Sequence, residues 1–207
     1  DQATESKEKA EALLAAMGLK GKYKVVTGSE SPMISADKPI DSEGARLIIS
    51  EAKKCTPEKP LYVACGASLS NIASALLIDP SISKNIIIVW IGGQEYSIGA
   101  VPPPGYSPVE YNLNLSIPAG QVVFNKSDIR LWQVPRDAYR QCLYSVEEMH
   151  ADIKLCGKIG ALLSDAIDNV MSTCEGFGIP MGEVYILGDS PLVLLTSLQS
   201  GFEADPS

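Results

Sequence analysis

The residues whose types and spacing could do chemistry are concentrated in V-E-Y-N-L-N-L-S-I-P-A-G, Val109–Gly120, directly after the run P-P-P-G, Pro102–Gly105. With a period of two, Glu110, Asn112 and Asn114 fall on one face and Tyr111, Leu113 and Leu115 on the other. A carboxylate accepts hydrogen bonds, and an amide both donates and accepts. Such a row is either the solvated face of a half-exposed strand or a set of groups that holds a polar ligand; spacing leaves both open. A second candidate is Asp189 in G-D-S-P, at a strand–helix junction where an aspartate serves as a helix cap or as a ligand group.

Other residues invite weaker readings. His150, the one histidine, lies in E-E-M-H-A-D and reads as part of an exposed acidic helix start. Cys65 ends a strand, but no histidine lies near it in sequence to activate it as a nucleophile. Gly92-Gly93 lacks the G-x-G-x-x-G or P-loop context that phosphate binding requires. Arg136-Asp137 reads as a structural ion pair, and Trp90 and Trp132, both in apolar runs, read as core.

The elements that must position these residues alternate along the chain. Thr4–Met17 is rich in helix formers and is stopped by Gly18. Y-K-V-V-T-G, Tyr23–Gly28, reads as a strand, followed by a polar loop and a helix beginning at Asp41 or Ser42. Strands are expected at Leu61–Gly66, Ile86–Gly93, Leu131–Val134 and Val184–Asp189, with helices at Leu69–Leu77, Leu155–Met171 and from Pro191. Ile86–Gly93 is apolar without alternation, as in a parallel sheet covered on both faces. The pattern predicts an α/β fold: a Rossmann-like open, mostly parallel sheet flanked by helices, in a single domain over residues 1–207. Such sheets bind ligands beyond the carboxyl ends of their strands. Gly66-Ala67-Ser68, Gly92-Gly93, Arg136-Asp137 and Gly188-Asp189 all fall at such ends.

Composition narrows the partners. The 207 residues are 45% hydrophobic and 20% charged, matching a soluble globular chain that can bury a sizeable core. A net charge of −8 disfavours nucleic acid, which needs clustered Lys and Arg. No apolar run is long enough to cross a membrane, and no signal peptide opens the sequence. The five cysteines are widely spaced, without a C-x-x-C pair, and suit buried thiols in a reducing compartment such as the cytoplasm.

Four segments, in order, resemble the inosine/uridine-preferring nucleoside hydrolase family. G-A-S-L-S-N-I-A (Gly66–Ala73) with L-L-I-D-P-S-I (Leu76–Ile82) resembles its "G-x-L-T-N-L-A … D-P-x-I" helix. I-I-V-W-I-G-G (Ile87–Gly93) resembles "V-W-M-G-G". V-E-Y-N-L-N-L-S-I-P-A-G resembles "A-E-F-N-x-x-x-D-P-E-A", and G-D-S-P-L-V (Gly188–Val193) resembles "H-D-P-L-A-V". The resemblance implies hydrolysis of the N-glycosidic bond of ribonucleosides to ribose and free base, with calcium (Ca2+) activating the attacking water and an oxocarbenium-like transition state. It also implies a ribonucleoside substrate and a homo-oligomer. Two alternatives stand beside it: a non-catalytic relative that binds ribose or nucleosides, and a Rossmann-like nucleotide-binding module.

Carried over residue by residue, the resemblance makes Glu110 and Asn112 ribose-hydroxyl ligands. It makes Asp189 a metal ligand, together with a backbone carbonyl at Cys65 or Gly66, and turns Val109–Gly120 into a pocket-lining connection leading into a helix near Pro118. It assigns no catalytic base. The family's D-x-D-x-x-x-D-D cluster, which should precede the first helix, has no counterpart. The histidine before the late aspartate is Gly188, and the asparagine six before the glutamate is Pro104. The sequence, ending at Asp205-Pro206-Ser207, is thus expected to be part of a divergent member.

Overall fold

The computed structural model describes residues 2–96, 99–102, 104, 105 and 107–197. Asp1, Pro103 of the P-P-P-G run and the terminal Asp205-Pro206-Ser207 lie outside these.

The first half supplies α1 (Gln2–Ala16), α2 (Glu43–Ala52), β1 (Leu61–Cys65), α3 (Ser70–Ile78), a 3-10 turn at Pro80–Asn85 and β2 (Ile86–Ile91). Ser42 starts α2 as expected, its hydroxyl accepting from the Ala45 N–H at 3.1 Å. The opening stretch then folds as one helical turn, α4 (Tyr111–Asn114), followed by α5 (Ile117–Asn125) with Pro118 in its first turn and Ser116 as its cap. β3 (Arg130–Val134), α6 (Arg136–Tyr139), β4 (Leu143–Ser145), α7 (Val146–Glu148), a π-helical turn at Met149–Ile153, α8 (Gly157–Gly176), β5 (Val184–Ile186) and α9 (Ser190–Thr196) complete the order.

The strands β1, β2 and β3 form a parallel sheet in that order, with Cys65 beside Trp90 and Ile91 beside Val134. All six residues of β2 are buried, which is why its sequence shows no alternation. Burying a side chain such as Ile88 stabilises by about 1.5–3 kcal/mol relative to exposing it. Its core partners include Leu69, Ile72 and Ala75 of the α3 region and Ala119 and Val122 of α5. The sheet's carboxyl ends, at Cys65, Ile91 and Val134, lie at one edge of the layer, where the fold places ligand sites.

The structure differs from sequence expectation at several points along the chain. Tyr23–Gly28 has no regular structure; a strand exists only through its ladder, and none of the described residues pairs with this segment. The late strand is shorter than expected and joins β4 in a separate antiparallel pair rather than the parallel sheet. Trp132 is half-buried rather than core, edge-on to Tyr62 at 5.5 Å between ring centroids. His150 belongs to the π-helical turn and is half-buried, its Nε2 lying 2.8 Å from Asp168 Oδ1. Among the described residues no helix is long and apolar enough to cross a membrane.

Candidate functional site

Glu110, extended at its own backbone, caps α4, a role carboxylates fill because the first N–H groups of a helix lack partners. Its Oε2 accepts from the Leu113 N–H at 3.0 Å and from the Gly93 N–H at 2.8 Å. Gly93 has φ +86°, a left-handed conformation that aims its N–H at the carboxylate, and a Cβ there would lie 2.2 Å from Gln133 Nε2. The other oxygen, Oε1, accepts the Tyr139 hydroxyl at 3.0 Å. Glu110 is 1% exposed and joins the end of β2, α4 and α6.

Asn112, two residues on, turns toward the strand ends. Its Nδ2 donates to the Ile91 carbonyl at 2.8 Å and to the Gly66 carbonyl at 3.4 Å, tying the ends of β1 and β2 together. The Gly66 carbonyl thus meets Asn112 at the rim; Cys65 is the last residue of β1, and burial pushes its thiol up to about 12, so it is held as an unreactive thiol. Asn114 is exposed and takes no part.

Asp189 arrives from the other side. Although it precedes α9, its side chain makes no capping bond. Its carboxylate instead lies over Gly66: a Cβ on that glycine would sit 3.1 Å from Asp189 Oδ1, so any side chain there would crowd the carboxylate. No hydrogen bond from a described residue reaches this carboxylate, and burial raises its pKa. An exposed carboxylate at a sheet's carboxyl edge that accepts no hydrogen bond from a described residue marks a candidate ligand position.

A buried clamp that sequence reasoning missed holds the rim in place. Arg136 donates from Nη2 and Nε to the two oxygens of Glu95, at 2.7 and 2.5 Å, and from Nη1 to the Ser107 carbonyl at 2.8 Å. Its own N–H donates to the Gly93 carbonyl at 3.0 Å. The Arg136–Asp137 ion pair expected from sequence is thereby replaced, and Asp137 Oδ1 is buried without a hydrogen-bond partner. The Arg136 guanidinium holds Glu95 below the usual glutamate range. The separation of 41 positions hid the pair from sequence inspection; Tyr139 was missed for the same reason.

The rim therefore brings together Glu110, Asn112, Gly66 and Asp189, and leaves out His150. A cleft of about 490 Å³ opens beside it, lined by residues including Gly28, Ala67, Ser68 and Asn71; the side chains of Glu110, Asn112 and Asp189 do not line that cleft.

This architecture is the nucleoside-hydrolase fold. It is similar over 93% of the chain to a plant nucleoside hydrolase (TM-score 0.69, 17% identity) and over 90% to the purine-preferring ribonucleoside hydrolase of Gardnerella vaginalis (TM-score 0.62, 19% identity). The inosine-uridine preferring nucleoside hydrolase of Bacillus anthracis matches over 87% of the chain (TM-score 0.53, 18% identity). The chain spans 65%, 56% and 53% of the lengths of these proteins, respectively. No protein-family model matches the sequence, and no curated protein matches it.

Proposed function

We propose that the chain serves in hydrolysis of the N-glycosidic bond of ribonucleosides, contributing the sugar-facing rim of the site. The observation that carries this reading is the convergence of Asn112, the Gly66 carbonyl and the unbonded Asp189 carboxylate at the carboxyl ends of β1 and β2. The Asn112 Oδ1 is an acceptor beside two strand ends and suits a sugar hydroxyl. Asp189 supplies negative charge where a ribosyl cation would develop.

The donor set does not by itself make a calcium site. Calcium takes six to eight oxygen ligands. The rim offers one uncommitted carboxylate and a strand-end carbonyl, and no group of three His, Cys, Asp or Glu suited to a metal occurs among the described residues. Asp189 and Gly66 would hold calcium only in company with further oxygen donors. The reading therefore contains no step through the metal.

D-ribose binding to the 207-residue chain, measured by calorimetric titration, tests this reading. We expect Asn112→Ala to weaken it roughly tenfold, the loss of one or two hydrogen bonds at a partly desolvated site. Affinity unchanged in that variant sinks the assignment. The same chain is expected to release no measurable base from inosine or uridine, and detectable release would show that the rim is catalytically complete. Ribose binding without turnover is also the signature of the second reading, a nucleoside-binding relative, which the burial of Glu110 favours.

A further inference from the structure

Glu110, assigned to a sugar hydroxyl by its place in the E-x-N stretch, is 1% exposed and accepts three hydrogen bonds from protein groups. Its Oε2 receives two backbone N–H groups that hold α4 onto the end of β2. A ligand hydroxyl could reach only Oε1, and there the Tyr139 hydroxyl stands at 3.0 Å. The Tyr139 ring packs against Gly188, where a side chain would crowd it. A Cβ at Gly188 would come within 3.2 Å of ring Cδ2 and 3.8 Å of Cε2. Gly188 is not among the glycines with positive φ, so space rather than backbone conformation accounts for its contact with the ring. Burial and the Glu110 carboxylate both push the Tyr139 hydroxyl up, keeping it a donor at neutral pH. At the other end of α6, Arg136 is fixed by Glu95 and Ser107, so the helix start is anchored and Tyr139 closes its last turn.

We propose that Tyr139 is a specificity-determining gate over Glu110: its hydroxyl occupies the carboxylate oxygen that a sugar hydroxyl would take, over a floor opened by Gly188. Access to Glu110 then requires exchange of one O–H···O bond for another, with the ring displaced. A ligand without a hydroxyl at that position offers no replacement bond and leaves the gate shut. This inference rests on the reading of the rim as a ribose site.

The test uses the 207-residue chain and its Tyr139→Phe and Tyr139→Ala variants, with D-ribose as titrant and, separately, carbodiimide coupling of glycine ethyl ester to accessible carboxylates read by peptide mass spectrometry. We expect Glu110 to be protected in the wild type and labelled in Tyr139→Ala. We also expect ribose to bind both variants roughly tenfold more tightly than the wild type, the value of a freed acceptor on a charged group. Tyr139→Phe keeps the ring, so the comparison survives if the alanine variant does not fold. Ribose binding that is equal or weaker in the variants overturns the gate and leaves the ribose reading standing. Equal labelling of Glu110 in wild type and Tyr139→Ala also overturns it. Labelling confined to Tyr139→Ala with no ribose binding by any of the proteins upholds the cover over Glu110 and sinks the ribose reading instead.

Discussion

The parallel-sheet half and the carboxyl-terminal half of this chain are built to different densities. The main hydrophobic cluster draws every member from residues between Met33 and Leu131, with β2 wholly buried at its centre. In contrast, the twenty-residue α8 buries only Gly160, Ser164 and Met171, and Leu163 and Val170 remain 43% and 45% exposed. A groove of about 1070 Å³ separates it from α1, which buries no residue at all. The candidate site straddles this boundary. Glu110, Asn112 and Gly66 are fixed to the dense half by backbone hydrogen bonds, whereas Asp189 and Gly188 come from the sparse half. One side of the rim is therefore tied to the dense core by hydrogen bonds, while the other comes from a region that makes fewer apolar contacts, where local stability is expected to be lower.

The largest effect that would sharpen this contrast is expected at the clamp. Glu95→Ala removes the carboxylate that receives two bonds from the buried Arg136 guanidinium and should cost about 3–5 kcal/mol in denaturant unfolding; a loss below about 1 kcal/mol would mean that the pair is solvated and the dense half ends earlier. Next, Ile88→Ala, at a position with no exposure, should cost about 2–5 kcal/mol through lost burial and the cavity left behind. Val170→Ala on α8 should stay within about 1 kcal/mol. Equal losses at Ile88 and Val170 would erase the distinction between the halves.

The smallest effect is a matter of pH, and its sign differs between the two regions. Glu95 has its pKa lowered by Arg136, so its contribution to stability is present above the ordinary glutamate value and is lost as pH falls through the folded one. Asp189 has its pKa raised by burial. The folded state then holds its proton more tightly than the unfolded state, and stability falls as pH rises from the ordinary aspartate value through the folded one. Asp189→Asn should therefore stabilise the protein near neutral pH and change nothing below about pH 3.9. Unfolding midpoints across that range check it. The same gain at both ends would show that the carboxylate bears no desolvation penalty.

Much of the architecture was legible in the sequence because it depends on neighbours along the chain. Continuous apolarity marked β2, Ser42 marked the start of α2, and Pro118 fell in the first turn of the helix expected there. The candidate stretch was half legible. A two-residue period put Glu110, Asn112 and Asn114 on one face, but the helical turn α4 sends them to three environments: buried, half-buried and exposed. Tyr23–Gly28 failed as a strand for a different reason, since composition marks a willingness to pair and only a partner makes the ladder.

What the sequence determined by itself was local: which segments are apolar, which residues cap helices, and which carry oxygen and nitrogen groups at strand ends. It also carried the order of four motifs that pointed to the nucleoside-hydrolase fold. Tertiary structure alone decided what those groups do. Glu110 finds the Gly93 amide 17 positions away and the Tyr139 hydroxyl 29 away, Arg136 finds Glu95 instead of its neighbour Asp137, and Asp189 is laid over Gly66. Each of these outcomes depends on which strand ends the sheet brings side by side, and hydrogen bonds and desolvation act over a few ångströms of space regardless of distance along the chain.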